Sequence, residues 1–294
     1  MPSFVMHHYF AARVCELAPP ELARICTAAP AAYSWGSQGP DPFFFIPLSG
    51  ASAQLGGRMH RGHIAEVFRA MAQAAHGSAV ALAYLLGFCT HYALDRTVHP
   101  YIETQTQRLM KEYQLSNSAA HKLCEADLDA EVLRWRGVTD PAKEPAYKLL
   151  NASSPEVPEA ARMLAAAGNA AGGQVTAAKA AQAMHLIHLA YAVFHYGRGS
   201  QKGVALAERA LHCPGAVSTL FRQSQPLPGD TPNRSHSTWK DWEGAAHTET
   251  LRTLAEETAL PFARTLQLSA CAACRRGKPL PEHLFRLDYS GRQL

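Results

Sequence analysis

Apolar residues recur at helical spacing along almost the whole chain. In 61–76, Ile64, Val67, Phe68 and Met71 form one stripe. Residues 78–97 carry Val80, Leu82, Leu85, Leu86, Phe88, Cys89 and Leu94 and are apolar nearly all round, which predicts a central, buried helix. Asn117 or Ser118 can cap a helix running through Arg136, with Gly137 just past its end. Residues 157–169 and 174–196 predict two more helices, and 201–212 and 238–266 complete the set. No period-two alternation is long enough to force a strand. The expectation is an all-α protein, a single multi-helical domain over 1–294 built from about eight to ten helices.

Two stretches break the pattern. One is 34–42, punctuated by Gly36, Gly39, Pro40 and Pro42. The other is 213–237, a long Pro/Ser-rich loop of the kind that serves as a lid or stays disordered. Residues 270–294 read as a short tail.

Composition narrows the class. Of 294 residues, 47% are hydrophobic and 18% charged, which excludes a wholly disordered chain. A net charge of +4 is too small to argue for nucleic acid by itself. No uncharged apolar run reaches about 18 residues, so no membrane span is expected. The first residues lack a basic start followed by an apolar run, so no secretory signal is expected. The seven cysteines are mostly scattered; reduced thiols and a cytoplasmic location are the expectation. Cys271 and Cys274 form one Cys-x-x-Cys, at most half of a metal or redox site and more simply a chance pairing. The unusual count is 15 histidines, which raises the question of whether they cluster.

The informative segment runs from Gly87 to Tyr101. His91 and Asp95 are four apart, one turn along one helical face, with Cβ atoms roughly 6 Å apart. His99 is a further turn on, and Pro100 disfavours the helical region for it, so the helix is expected to end there. A buried Asp is costly unless paired or metal-bound; a His–Asp ion pair with Arg96 as partner is the plain alternative. His121 and Glu125 repeat the four-residue spacing on the next helix, and two such pairs favour a metal reading. Asp41, His60, and His7 or His8 are further candidates upstream.

The order of these residues resembles the zinc-dependent phospholipase C family, whose superfamily includes the fungal single-strand nucleases. The matching features are Met1-Pro2-Ser3-Phe4 followed by His7, then Gly39-Pro40-Asp41, His60, Gly87-Phe88-x-x-His91-Tyr92-x-x-Asp95-x-x-x-His99-Pro100, and His121-x-x-x-Glu125. They cover roughly residues 1–130. The resemblance implies an all-α fold holding two or three zinc ions in a cleft. It implies that Asp41, His60, His91 and Asp95 hold one zinc and His99, His121 and Glu125 a second. Asp95 would bridge to a third, which His7 also binds. In the secreted phospholipases the mature N-terminal residue serves that third ion; here removal of Met1 would expose the Pro2 amine.

Clustered zinc neutralises charge on a phosphodiester and lowers the pKa of bound water from 15.7 toward roughly 7. Asp41, on its loop, is the candidate to orient that water or take its proton. The expected activity is phospholipase C-type hydrolysis of a phospholipid or a soluble phosphodiester, with peripheral membrane contact. The rivals are a nuclease-like phosphodiesterase, which wants a basic, aromatic-lined groove, and a non-catalytic metal-binding scaffold. Phe43-Phe44-Phe45-Ile46 is either core beside the site or an edge that touches lipid. Trp35 either lines the cleft or packs. His185, His188 and His195 lie on one apolar helix and, with no carboxylate interleaved, read as ordinary histidines in preference to a second metal site. Trp239 and Trp242 either anchor a lid or, in preference, pack against the last long helix.

Overall fold

The computed structural model describes residues 4–294. Helices follow one another as α1 (Phe4–Glu16), α2 (Pro20–Ala28), α3 (Pro30–Gly36), α4 (Leu55–Arg61), α5 (Ile64–Ala74), α6 (Ala79–Tyr113), α7 (Asn117–Trp135), α8 (Val157–Ala170), α9 (Ala177–Tyr196) and α10 (Gln201–Ala210). The short α11 (Leu251–Thr253) runs through a π-helical turn, Leu254–Ala259, into α12 (Leu260–Arg276). The all-helical expectation holds. Among the described residues the one sheet is a two-stranded ribbon, β1 (Trp239–Lys240) against β2 (Ala246–His247). No described helix is long and apolar enough to cross a membrane.

The axis of the fold is α6, 35 residues long and capped by Ser78, whose hydroxyl accepts from Ala81 N. Its first half is buried on every side, as its all-round apolar sequence requires. Helix α3 lies against it at backbone distance. A Cβ on Gly36 would stand 2.1 Å from the Tyr84 carbonyl oxygen, and one on Gly87 would stand 2.1 Å from that of Tyr33. The two missing side chains let α3 and α6 touch, which carries the 37–41 segment onto the polar stretch of α6.

Helix α7 packs along α6 and buries four acids, Glu125, Asp127, Asp129 and Glu131. Such groups are tolerated only with partners. The Asp129 carboxylate accepts from Val5 N at 3.1 Å and Met6 N at 2.9 Å, holding the first turn of α1. Asp127 accepts from Leu227 N, and Glu131 takes Trp135 Nε1 and Arg234.

Several local expectations are corrected. The helix does not end at His99: α6 passes through Pro100 and continues to Tyr113. Proline removes the donor that would reach the Arg96 carbonyl, and Gly291 of the C-terminal segment packs against that carbonyl and the Pro100 ring. The 61–76 stripe splits at Gly62 into the end of α4 and α5. Residues 238–266 are not one helix, since the β-ribbon occupies 239–247. In the ribbon Trp239 stacks on His247 and meets the Tyr101 ring, whereas Trp242 lies under the Arg292 guanidinium. The 213–237 segment is irregular apart from one short turn, yet it is tied down by Asp127, by Tyr101 Oη donating to the Thr231 carbonyl and by Asn233. Cys271 and Cys274 are buried in α12 and are free thiols. The 270–294 stretch is no loose tail: Leu284, Phe285 and Tyr289 join the core.

Candidate metal centre

The eight candidate ligands come from five elements. His91 and Asp95 share one face of α6, and His99 continues that face because the helix does not break. His121 and Glu125 come from α7, His60 from α4 and His7 from α1. Asp41 is not on an open loop; it starts a buried 3₁₀ turn, Asp41–Phe44. The positive φ of Gly39 (+52°) turns the chain there, and a Cβ on Gly39 would lie 2.2 Å from His91 Cδ2. Glycine therefore lets the backbone lie against the imidazole and carry Asp41 to the cluster.

The structure brings all eight sequence candidates together in three groups whose donor atoms lie within 4.8 Å of one another: Asp41, His60 and His91; His7, His91 and Asp95; and His99, His121 and Glu125. His91 is common to the first two groups. Asp41 Oδ1 lies 3.2 Å from His60 Nε2. Asp95 splits its oxygens, with Oδ1 3.1 Å from His7 Nε2 and Oδ2 3.3 Å from His91 Nε2. Glu125 Oε1 is 3.2 Å from His121 Nε2 and 3.7 Å from His99 Nε2. The rings of His7 and His91 stack at 4.1 Å, those of His99 and His121 at 5.6 Å. Of the two neighbouring histidines on α1, His7 faces the cluster. His8 turns away to Ser34 Oγ at 2.8 Å, and burial, with Arg136 nearby, lowers its pKa to about 4.

Three histidines are held by backbone carbonyls at Nδ1. His60 donates to the Gly56 carbonyl at 2.7 Å, His91 to Ser37 at 3.1 Å and His99 to Tyr289 at 2.7 Å. In the neutral ring a proton fixed on Nδ1 makes Nε2 the lone-pair nitrogen that can ligate a metal. His91 Nε2 is buried and has no hydrogen-bond partner, and the same holds for His7 Nδ1. No Lys or Arg among the described residues lies within ion-pair distance of Asp41 or Asp95. His91 Nε2 thus lies unpartnered between two buried carboxylates, Asp41 Oδ1 at 4.0 Å and Asp95 Oδ2 at 3.3 Å, a donor set that fits zinc.

The electrostatics agree. Burial pushes the carboxyls up, but at Asp41 and Asp95 the surrounding imidazoles outweigh it. Asp41 lies below its ordinary range because of His91 and His60, Asp95 well below because of His99, His91 and His7, and Glu125 is lowered with His121 and His99 beside it. His99 moves the other way: burial lowers it, Asp95 and Glu125 raise it more, and it reaches about 9.

The sequence reading missed Tyr289. Its amide donates to the His60 carbonyl at 3.0 Å, its carbonyl accepts from His99, and its ring lies 4.9 Å from that of His60. No local motif marks it, because its role lies in the backbone. The aromatic run beside Asp41 divides: Phe43 and Ile46 are core, and Phe44 is exposed with its ring 5.1 Å from that of His60. Trp35 packs, donating to the Asn151 carbonyl. His188 and His195 flank Tyr147, and no metal-type group forms around them among the described residues. The expected part of Met1, Pro2 and Ser3 in a third ion site lies outside the described residues.

The all-helical fold brings five histidines and three carboxylates from α1, α4, α6, α7 and the 41–44 turn into three groups able to hold metal ions, the arrangement of a metal-binding protein. Residues 6–173 match the family model described as zinc dependent phospholipase C, more than half of the chain, and the chain belongs to this family. No curated protein and no solved structure matches it.

Proposed function

We propose that this chain, working as one hydrolase domain over 1–294, is a zinc-dependent phosphodiesterase of the phospholipase C type. The observation that supports this reading most is the set of carbonyl-held imidazoles aimed at Asp41, Asp95 and Glu125. Asp41, His60, His91 and Asp95 would hold one zinc. His99, His121 and Glu125 would hold a second, and His7 with Asp95 a third. When bound, zinc supplies charge neutralisation at the phosphoryl oxygens and a water whose pKa falls to about 7.

The remaining work belongs to the chain. The Ser37, Gly56 and Tyr289 carbonyls fix the imidazole planes, so the donors need no reorganisation when the phosphodiester arrives. Asp41 is held ionised and is the candidate to orient the attacking water and accept its proton. His60, His99 and His121 are partly exposed, so substrate approaches from their side.

The test is a hydrolysis screen of the zinc-loaded protein on bis(p-nitrophenyl) phosphate, phosphatidylcholine vesicles and single-stranded DNA, with chelator and His91→Ala controls. Chelator-sensitive release of phosphocholine supports the phospholipase reading. Cleavage of DNA with lipid untouched assigns a nuclease-like activity. Stoichiometric zinc with no turnover on any substrate leaves a metal-binding scaffold.

A further inference from the structure

Helix α10 wears its amphipathicity inside out. Its buried residue is its acid, Glu208. That carboxylate is turned into the fold, where it accepts from Gly215 N at 2.9 Å, Ser218 N at 2.9 Å and Ser218 Oγ at 2.6 Å, and also from Val217 N. The opposite side is apolar and faces solvent. Gly203, Leu206, Ala207 and Ala210 recur at i, i+3, i+4 and i+7, all exposed, and Leu211 follows. Leu206 is 70% exposed and Leu211 74%. Lys202 and Arg209, seven apart, line one flank of this stripe.

The preceding helix carries an outward apolar stripe of its own. Leu189, Val193 and Tyr196 form an outward stripe at i, i+4 and i+7 of α9, with Val193 56% and Tyr196 71% exposed. The inward side of that helix carries Tyr191, stacked at 4.2 Å on Phe4, in the helix that bears His7. Isolated exposed leucines need no explanation, but two successive helices with outward apolar stripes do.

Charge identifies the occupant. The exposed charges of α10 are Lys202 and Arg209, and its one acid, Glu208, is buried. A second copy apposed α10 to α10 would set Lys202 and Arg209 against the same cations, with Glu208 buried in each copy. Nucleic acid would use the cations and leave the leucines in water. An anionic lipid surface satisfies both, with apolar side chains among the acyl chains and Lys202 and Arg209 at the headgroups.

We infer that α10, with the outer stripe of α9, is an in-plane docking surface for an anionic bilayer. The surface does not depend on the hydrolase reading, and its test reads binding, not turnover. The full-length protein is floated with phosphatidylcholine vesicles, with and without phosphatidylglycerol, at low and high salt. Binding is expected to the phosphatidylglycerol vesicles, weakened by salt. It is expected to fall roughly tenfold or more in L206Q/L211Q and again in K202Q/R209Q, with zinc content and Tm held at wild-type values in both variants. Failure to bind anionic vesicles, or wild-type binding by either variant, overturns the proposal. So does self-association that L206Q/L211Q abolishes without vesicle binding, or displacement from vesicles by single-stranded DNA.

Discussion

The Tyr289 carbonyl accepts from Nδ1 of His99 at 2.7 Å, linking the last ten residues to a histidine 190 positions earlier. Eleven residues after Lys278, the chain thus returns to the metal cluster. The same residue's amide reaches the His60 carbonyl, so one peptide segment braces two candidate ligands on two helices. Deleting residues 287–294 is expected to lower zinc affinity roughly 10–100-fold, the usual cost of removing an outer support of a ligating histidine. Tyr289→Phe keeps the backbone groups and the ring and is expected to bind zinc as the wild type does. Chelator-competition titration distinguishes them; equal affinity in the truncated chain would show that His99 needs no such brace.

Gly36 and Gly39 lie three residues apart and are expected to fail differently. A Cβ at Gly36 meets a backbone carbonyl, so Gly36→Ala must part α3 from α6 and cost on the order of 1–3 kcal/mol, read as a lower Tm. At Gly39 the obstacle is the His91 ring itself. Gly39→Ala is expected to displace that ring and lose zinc to a greater degree than stability. A Gly39→Ala protein with full zinc and lowered Tm would contradict this division of roles.

The three groups are not equivalent, and metal content separates them. His91 serves two groups, whereas Glu125 serves one. Zinc analysis of purified protein is expected to give two or three ions per chain. His91→Ala is expected to lose more zinc than Glu125→Ala, which keeps the ions on the His7 and His60 side. Equal losses in the two variants would mean that the groups fill as one cooperative unit.

Much of this was legible in the sequence because helical periodicity and i,i+4 ligand pairs are local. His91 with Asp95 and His121 with Glu125 needed only helix geometry. What escaped was non-local or carried by the backbone. Pro100 argued for a helix end, yet α6 runs on through it, with Gly291 lying against the Pro100 ring. The Trp239–His247 ribbon is too short to show alternation. Asp129, which holds α1 and so places His7, looks like any polar residue of α7. Tyr289 acts through its amide and carbonyl, to which residue type gives no clue.

Proton release on zinc binding is the sharpest consequence of the site's electrostatics. In the metal-free protein His99 is raised from 6.5 to about 9, because Asp95 and Glu125 outweigh the cost of burial. A raised histidine stabilises the fold fully below its unfolded value and loses that contribution as pH rises through about 9. Metal-free protein is therefore expected to lose Tm between pH 7 and 9. Asp41 and Asp95 are depressed, so their contributions persist at these pH values and disappear only under acid conditions. Zinc requires a neutral imidazole and must displace the His99 proton. Affinity at the His99, His121 and Glu125 group should rise with pH up to about 9, and binding at pH 7 should release a proton from His99. Calorimetry in buffers of different ionisation enthalpy measures that release directly. It should shrink in His99→Gln and leave the zinc-loaded protein without the Tm decline of the metal-free form. Zinc binding with no buffer dependence would mean that His99 is already neutral before the metal arrives.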